Sequence, residues 1–132
     1  MFLNNLEQKQ KLLFMELAIK AAEANGVVEL EEKNMLKCFS IEMNIQSVYH
    51  TDRDLEDILN EIIQISTERE LRIILFEILG IIISDGVFDE YEKEFIKHVV
   101  ERCNMNVDLV DKMTGLLFDY TKLYQNIVKV VL

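Results

Sequence analysis

Hydrophobic side chains recur along this chain with the period of amphipathic α-helices. In the first stretch, Leu6, Leu13, Leu17 and Ala21 repeat at intervals of four or seven residues, which places them on one helix face. The same pattern predicts helices at about 5–24, 30–39, 67–84 and 90–102, with two more beginning near 51 and 106. With no proline and only four glycines, the chain is predicted to be all-α, a helical bundle of six to seven helices.

Capping patterns mark where two of these helices should begin. Thr67 is followed three residues later by Glu70, which is a capping box in which each side chain accepts a hydrogen bond from the other residue's backbone. Thr51 precedes Asp54 in a variant of that pattern and is predicted to begin the third helix. Residues 40–50, between the second and third helices, are predicted to form a loop.

A nine-residue segment of this chain occurs twice. The sequence NGVVELEEK at 25–33 returns sixty residues later as DGVFDEYEK at 85–93. Each copy follows a long apolar stretch and precedes an amphipathic one. Repetition at a fixed spacing predicts two pseudo-repeats, each a helix, an acidic glycine turn and a helix, packed on one another.

The repeat sets the predicted domain organisation. Repeat one is expected at about 6–45 and repeat two at about 66–105. A C-terminal helix follows at about 106–131, either continuous or divided into two helices near Thr121. Because no proline-rich, Ser/Gly-rich or charged linker separates the halves, the prediction is a single domain over 1–132.

The negative net charge of the chain disfavours some classes of binding partner. The formal net charge is −10, and so acidic a surface repels phosphate backbones and anionic lipid headgroups. Nucleic acid is therefore disfavoured, whereas cations and other proteins remain, and a homo-oligomer stays open. The most apolar stretch, Leu71–Ile83, is too short to cross a membrane, and the N-terminus lacks a signal-peptide pattern. A soluble cytoplasmic protein without direct membrane insertion is expected.

The repeated turn carries side chains suited to binding a metal ion. Counting Asp85 as the fifth residue of a calcium-binding EF-hand loop places Gly86 sixth, Asp89 ninth and Glu92 twelfth. The first and third positions are isoleucines, so one turn alone cannot complete a coordination shell. A cation shared between the turns would have oxygen ligands, which suit Ca²⁺, Mg²⁺ or Mn²⁺. The candidate ligands are Asp85, Asp89, Glu92, Asn25, Glu29 and Glu32.

The same acids have a purely structural interpretation. Asp89 with Glu92, and Glu29 with Glu32, stand where they can cap the helices that follow them. Helix N-termini carry partial positive charge and free N–H groups, and both favour acids. Spacing alone leaves capping and metal binding open, and a shared ion requires the two turns to lie close together.

In its acidic turns the chain resembles the TerB-like family of small helical domains associated with tellurite resistance. The segments 22–32 and 83–92 look like that family's alanine–aspartate–glycine turn, which is followed by a glutamate six residues after the glycine. The resemblance covers about residues 10–105. It implies an all-helical, pseudo-symmetric domain with a divalent-cation site and no enzyme activity. It also implies a stress or tellurite-resistance system whose assemblies are membrane-linked or chaperone-linked.

The resemblance implies particular ligands in each copy. Carried over by position, the family's site uses Asp85 and Glu92 in the second copy, with Asn25 and Glu32 in the first. Asn25 departs from the usual aspartate. A neutral amide keeps an oxygen donor but removes a negative charge, so the first half-site is the weaker one.

The other reactive side chains point to structural roles. Cys38 and His98 occupy equivalent positions in the two copies, but structural zinc needs four ligands and no others stand at ligand spacing. Cys38 and Cys103 are interpreted as buried free thiols, with a disulfide left open. Glu77, the one acid in the apolar middle of the fourth helix, is expected to pair with Arg72 or a lysine, or to lie at an exposed edge.

The sequence is compatible with three functions. The leading one is a non-catalytic divalent-cation-binding or protein-interaction module of a TerB-like system. The first alternative is a structural interaction domain whose acids cap helices and bind no metal. A weaker alternative is a metal-dependent enzyme or enzyme subunit, although the sequence has no nucleophile elbow and no phosphate-binding loop.

Overall fold

The regular structure is helical throughout the part of the chain that the computed structural model describes, residues 1–26, 28–84 and 86–132. A short 3₁₀ turn at Leu3–Asn5 precedes six α-helices: α1 (Gln8–Ala22), α2 (Leu30–Met43), α3 (Leu55–Ile65), α4 (Glu68–Ile82), α5 (Glu90–Arg102) and α6 (Val107–Val131). No strand occurs in those segments, which confirms the all-α class. Within the same segments, no helix combines the length and the apolar character that a membrane span requires.

The two helices that precede the acidic turns form the centre of the core. α1 packs against α2, α3 and α4, and α4 also packs against α2, α5 and α6. Phe14 on α1 and Ile78 on α4 are fully buried, and Phe14 meets Phe39 of α2 edge to face at 5.1 Å between ring centroids. Each such side chain stabilises the fold by about 1.5–3 kcal/mol relative to exposure. Burial of α1 and α4 therefore holds the beginnings of both acidic turns.

Three of the predicted boundaries are confirmed. Thr67 caps α4 through a full capping box, as its spacing from Glu70 predicted. The α5 helix covers Glu90–Arg102, the predicted range. The C-terminal segment is one continuous helix, α6, with Asn106 as its N-cap.

The predicted start of the third helix at Thr51 is wrong. The Thr51 hydroxyl donates to Glu16 at 3.0 Å, and Arg53 pairs with the same carboxylate at 3.2 Å. These contacts fix the segment in a non-helical path, so α3 begins four residues later, after Asp54. A local capping pattern is overridden here by partners on α1.

The predicted end of the second helix at Phe39 is also wrong. Ser40 is buried and its hydroxyl donates to the Leu36 carbonyl at 2.9 Å, so this serine stays within the helix instead of breaking it. Buried Met43 adds one more apolar anchor. α2 ends only at Met43, and its C-cap Asn44 adopts the left-handed conformation with φ of 54°.

The first helix is shorter than predicted at both ends. Glu7 caps it at the N-terminus, since its backbone N–H donates to the Gln10 side chain at 2.8 Å and α1 begins at Gln8. The fourth helix likewise ends at Ile82 rather than near Ser84. Both helices thus stop before the acidic turns.

Candidate cation site at the two acidic turns

Glycine gives the two turns the same backbone feature. Gly26 has φ of 86° and Gly86 has φ of 82°, a region that side-chain-bearing residues rarely adopt. The Gly26 N–H donates to the Glu23 carbonyl at 2.8 Å, and the Gly86 N–H donates to the Ile83 carbonyl at 3.0 Å. In each copy the chain therefore leaves its buried helix through a hydrogen-bonded turn with a left-handed glycine.

After the first turn, two of the candidate ligands cap α2. Glu29 is the N-cap and Glu32 is the third residue of the helix, and they form a capping box. The Glu29 N–H donates to Glu32 Oε1 at 2.9 Å. Glu29 is exposed, whereas Glu32 is only 1% exposed. One carboxylate of this half is thus held in the protein interior at a helix N-terminus.

The second turn repeats this arrangement at α5. The Asp89 N–H donates to Glu92 Oε1 at 3.0 Å, and the Glu92 N–H donates to Asp89 Oδ1 at 2.9 Å. Glu92 is also only 1% exposed. The backbone N–H of Glu92, assisted by the Asn25 amide, holds the pKa of Asp89 below its usual value. Asp89 therefore stays ionised through the neutral range.

A direct hydrogen bond joins the two turns. The Asn25 side-chain amide donates to Asp89 Oδ2 at 3.2 Å, across sixty-four positions of sequence. Asp89 thus uses one oxygen to cap α5 and the other to contact the first turn. This hydrogen bond brings together one candidate ligand from each of the two repeated segments. Asp85, the remaining candidate, lies outside the described residues.

The described donors form pairs rather than a full ligand cluster. Glu29 pairs with Glu32, Asp89 pairs with Glu92, and Asn25 joins Asp89. Across residues 1–26, 28–84 and 86–132, no three His, Cys, Asp or Glu side chains come together in a group that could hold a metal ion. Carboxylate and amide oxygens are ligands of the type that hard cations prefer, and Asn25 and Asp89 supply them from different turns.

A second carboxylate site, which the sequence did not indicate, binds the N-terminus. Glu77, only 5% exposed, accepts from the Met1 ammonium at 2.8 Å and from the Phe2 N–H at 2.7 Å. Glu42 on α2 accepts from the same ammonium at 3.1 Å. The predicted pairing of Glu77 with Arg72 is wrong, because Arg72 binds Glu68 at 3.1 Å. Nothing in the local pattern around Glu77 identifies a partner at the start of the chain.

Burial and ion pairing act in opposite directions on this ammonium. Burial lowers the pKa of the Met1 amine, but its hydrogen bonds to Glu77 and Glu42, with the attraction of both charges, outweigh burial and raise that pKa overall. The amine is therefore charged at neutral pH, and the ion pairs fix the 3₁₀ turn against α2 and α4.

One histidine lies near the first acidic turn, since His50 Nδ1 is 3.8 Å from Glu23 Oε1. His98 and Arg102 of α5 both bind Glu56 of α3, which ties these two helices together. Cys38 is exposed, so its prediction as a buried thiol is wrong, since it lies on the outer face of α2. Cys103 is half-buried, and that burial raises the pKa of its thiol. Both cysteines are free.

Comparison of the chain with protein-family models, with curated proteins and with solved structures finds no match.

Proposed function

We propose that this protein is a non-catalytic module of a TerB-like stress system that responds to divalent cations. The hydrogen bond between Asn25 and Asp89 carries the proposal, because it brings oxygen-bearing side chains of both acidic turns into contact. The similar glycine conformations and capping boxes also support a pseudo-repeat in which each copy contributes half of one site.

The ligand chemistry favours a hard cation. Asp89 is ionised, and Asn25 presents an amide whose oxygen is a calcium ligand of ordinary type. With Asp85 as a third donor, the site would combine carboxylate and amide oxygens from both copies. Bound between the turns, a cation would supply charge that holds α1 and α4 at a fixed spacing.

The Asn25→Asp substitution tests this function directly. Without metal it replaces an amide donor by a second carboxylate beside Asp89, so the thermal unfolding midpoint in EDTA should fall. With Ca²⁺ the added charge should strengthen binding, so the variant should gain more stability from the ion than the wild-type protein does. Calorimetric titration with Ca²⁺, Mg²⁺ and Mn²⁺ would identify the preferred ion.

Two variants control for charge and for the helix caps. Asn34→Asp makes the same change at an exposed position of α2 and should leave the calcium effect unaltered. Asp85→Asn with Glu92→Gln keeps side chains that can still cap but removes two charges, and should abolish the calcium-induced shift. Equal calcium responses in Asn25→Asp, Asn34→Asp and wild-type protein would refute a site at these turns.

The capping boxes favour one alternative, a structural interaction domain that binds no metal. In that case Glu29, Glu32, Asp89 and Glu92 serve only the N-termini of α2 and α5. Ca²⁺ and Mg²⁺ would then give no heat of binding, while alanine at Asp89 would still lower stability. The titration therefore separates the two functions.

A further inference from the structure

The outer part of α6 exposes a continuous apolar stripe. Of its 25 residues, only Val110 and Leu117 are buried. Beyond Leu117 the large apolar side chains face solvent, including Tyr124 at 58% exposure and Ile127 at 50%. A helix with such a face ordinarily buries it against another element.

The spacing of the stripe is that of a helix–helix seam. Apolar residues alternate at intervals of four and three along α6, at Met113, Leu117, Tyr120, Tyr124, Ile127 and Val131. Leu116, Leu123 and Val130 widen the same face. This is the heptad pattern of helices that pack in bundles. Its first two members lie against the core of this chain. Tyr120 and Tyr124 line a groove next to α2 and α4, and every member from Tyr120 onward is at least 50% exposed.

The exposed area matches what one partner contributes to a stable complex. The apolar side chains of the stripe from Leu116 to Val131 expose on the order of 800 Å² together, close to the roughly 800 Å² per partner of a standard interface. Isolated surface leucines need no explanation, but a contiguous patch of this size is unusual for a monomer.

The charge of this segment is compatible with a second copy of the chain as the partner. From residue 116 onward the chain has one acid, Asp119, and two lysines, Lys122 and Lys129, whereas the preceding part carries all of the excess negative charge. Two copies can therefore meet through α6 without bringing a surplus of acids into the contact. The same net charge of −10 opposes binding to anionic lipid.

We propose that the α6 stripe is the interface with a second copy of this chain. A symmetric pair of α6 helices buries the same residues on both copies, which is the usual geometry of a homodimer. The interface is independent of the acidic turns, so it does not require a bound cation.

Sedimentation velocity and light scattering on the 132-residue chain test the proposal. At about 100 μM, above the micromolar limit for interfaces of this size, the mass should approach twice the 15.5 kDa of one chain. Tyr124→Glu with Ile127→Glu should raise the dimer dissociation constant by at least about 100-fold. Gln125→Glu with Asn126→Glu adds the same two charges to the polar face of the same turn and should leave the dimer intact.

Circular dichroism distinguishes dissociation from unfolding. Both charged variants alter exposed side chains and should keep their helicity. If the stripe variant lost helicity, Tyr124→Ala with Ile127→Ala would replace it, with a reduced dimer fraction expected. A wild-type monomer at every concentration, or equal effects of the two charged variants, would overturn the proposal. For a monomer, co-sedimentation with phosphatidylcholine vesicles would identify lipid as the occupant instead.

Discussion

At the scale of single residues, the buried acids of this protein are each held by a specific donor. Glu77 lies among apolar residues of α4 yet accepts two hydrogen bonds from the first residues of the chain. An unpaired carboxylate in that position would be strongly destabilising. Glu32 and Glu92 are equally buried, and each accepts its N-cap residue's backbone N–H. Hydrogen bonds from nearby N–H groups therefore compensate for the loss of water around these buried acids.

Glu77→Gln should destabilise the 132-residue chain at neutral pH. The substitution removes the charge that faces the Met1 ammonium, and we expect a loss of about 1–3 kcal/mol in the free energy of unfolding. Glu42→Gln is the matched control, because its carboxylate is more exposed and its loss should be about 0–1 kcal/mol. Urea denaturation of the three proteins measures both values. Equal losses would show that burial of Glu77 confers no special role.

The same pair predicts a pH dependence. The folded-state pKa of the Met1 amine is raised above its unfolded value of about 8. Its contribution to stability is therefore fully present below pH 8 and is lost as pH rises through the folded value. The difference between wild-type protein and Glu77→Gln should narrow at alkaline pH.

At the scale of elements, alanine should have opposite effects at two exposed glycines. Gly86 has positive φ in the turn before α5, so Gly86→Ala should cost about 1–2 kcal/mol. Gly115 lies within α6 with open space around it, so Gly115→Ala should stabilise by about 0.5–1 kcal/mol. Thermal unfolding measures both, and a stabilising effect at Gly86 would contradict a required left-handed turn.

Two threonines that precede an acid by three residues have different roles in the structure. Thr67 and Thr51 stand in the same local pattern, and only Thr67 caps a helix. Thr51 is held by Glu16 on α1, a contact from thirty-five residues away that spacing cannot reveal. Caps and apolar stripes are local, so the all-α class and most helices were predictable. The partner of Glu77 and the start of α3 depend on tertiary contacts and were not.

The candidate site shows the same division between local and distant contacts. The two capping boxes were predictable, because each follows from a spacing of three residues. The contact between Asn25 and Asp89 was not predictable from the sequence, since it depends on how α1 and α4 pack. The apolar seam of α6 was visible as a stripe, but its exposure beyond Leu117 was not, because sequence does not show where a core ends.

At the scale of the whole molecule, the net charge of −10 should make stability depend on salt. Raising NaCl from about 0.01 M to about 0.1 M shortens the screening length from about 30 Å to about 10 Å. Self-repulsion then weakens, and so do exposed ion pairs such as Arg72 with Glu68. Exposed pairs are worth only about 0–1 kcal/mol each, so the repulsion among surplus acids should dominate and the thermal unfolding midpoint should rise.

A variant with fewer acids tests whether repulsion among surplus charges causes the salt dependence. A comparison of CaCl₂ with NaCl then distinguishes calcium binding from screening. Glu94→Gln with Asp111→Asn removes two exposed charges and should raise the midpoint at low salt while reducing its further rise in NaCl. At equal ionic strength, CaCl₂ should stabilise the wild-type protein beyond NaCl, because a bound ion adds to screening only in the folded state. Identical thermal unfolding midpoints in CaCl₂ and NaCl would show that calcium acts only by screening. The acidic turns would then serve only as helix caps.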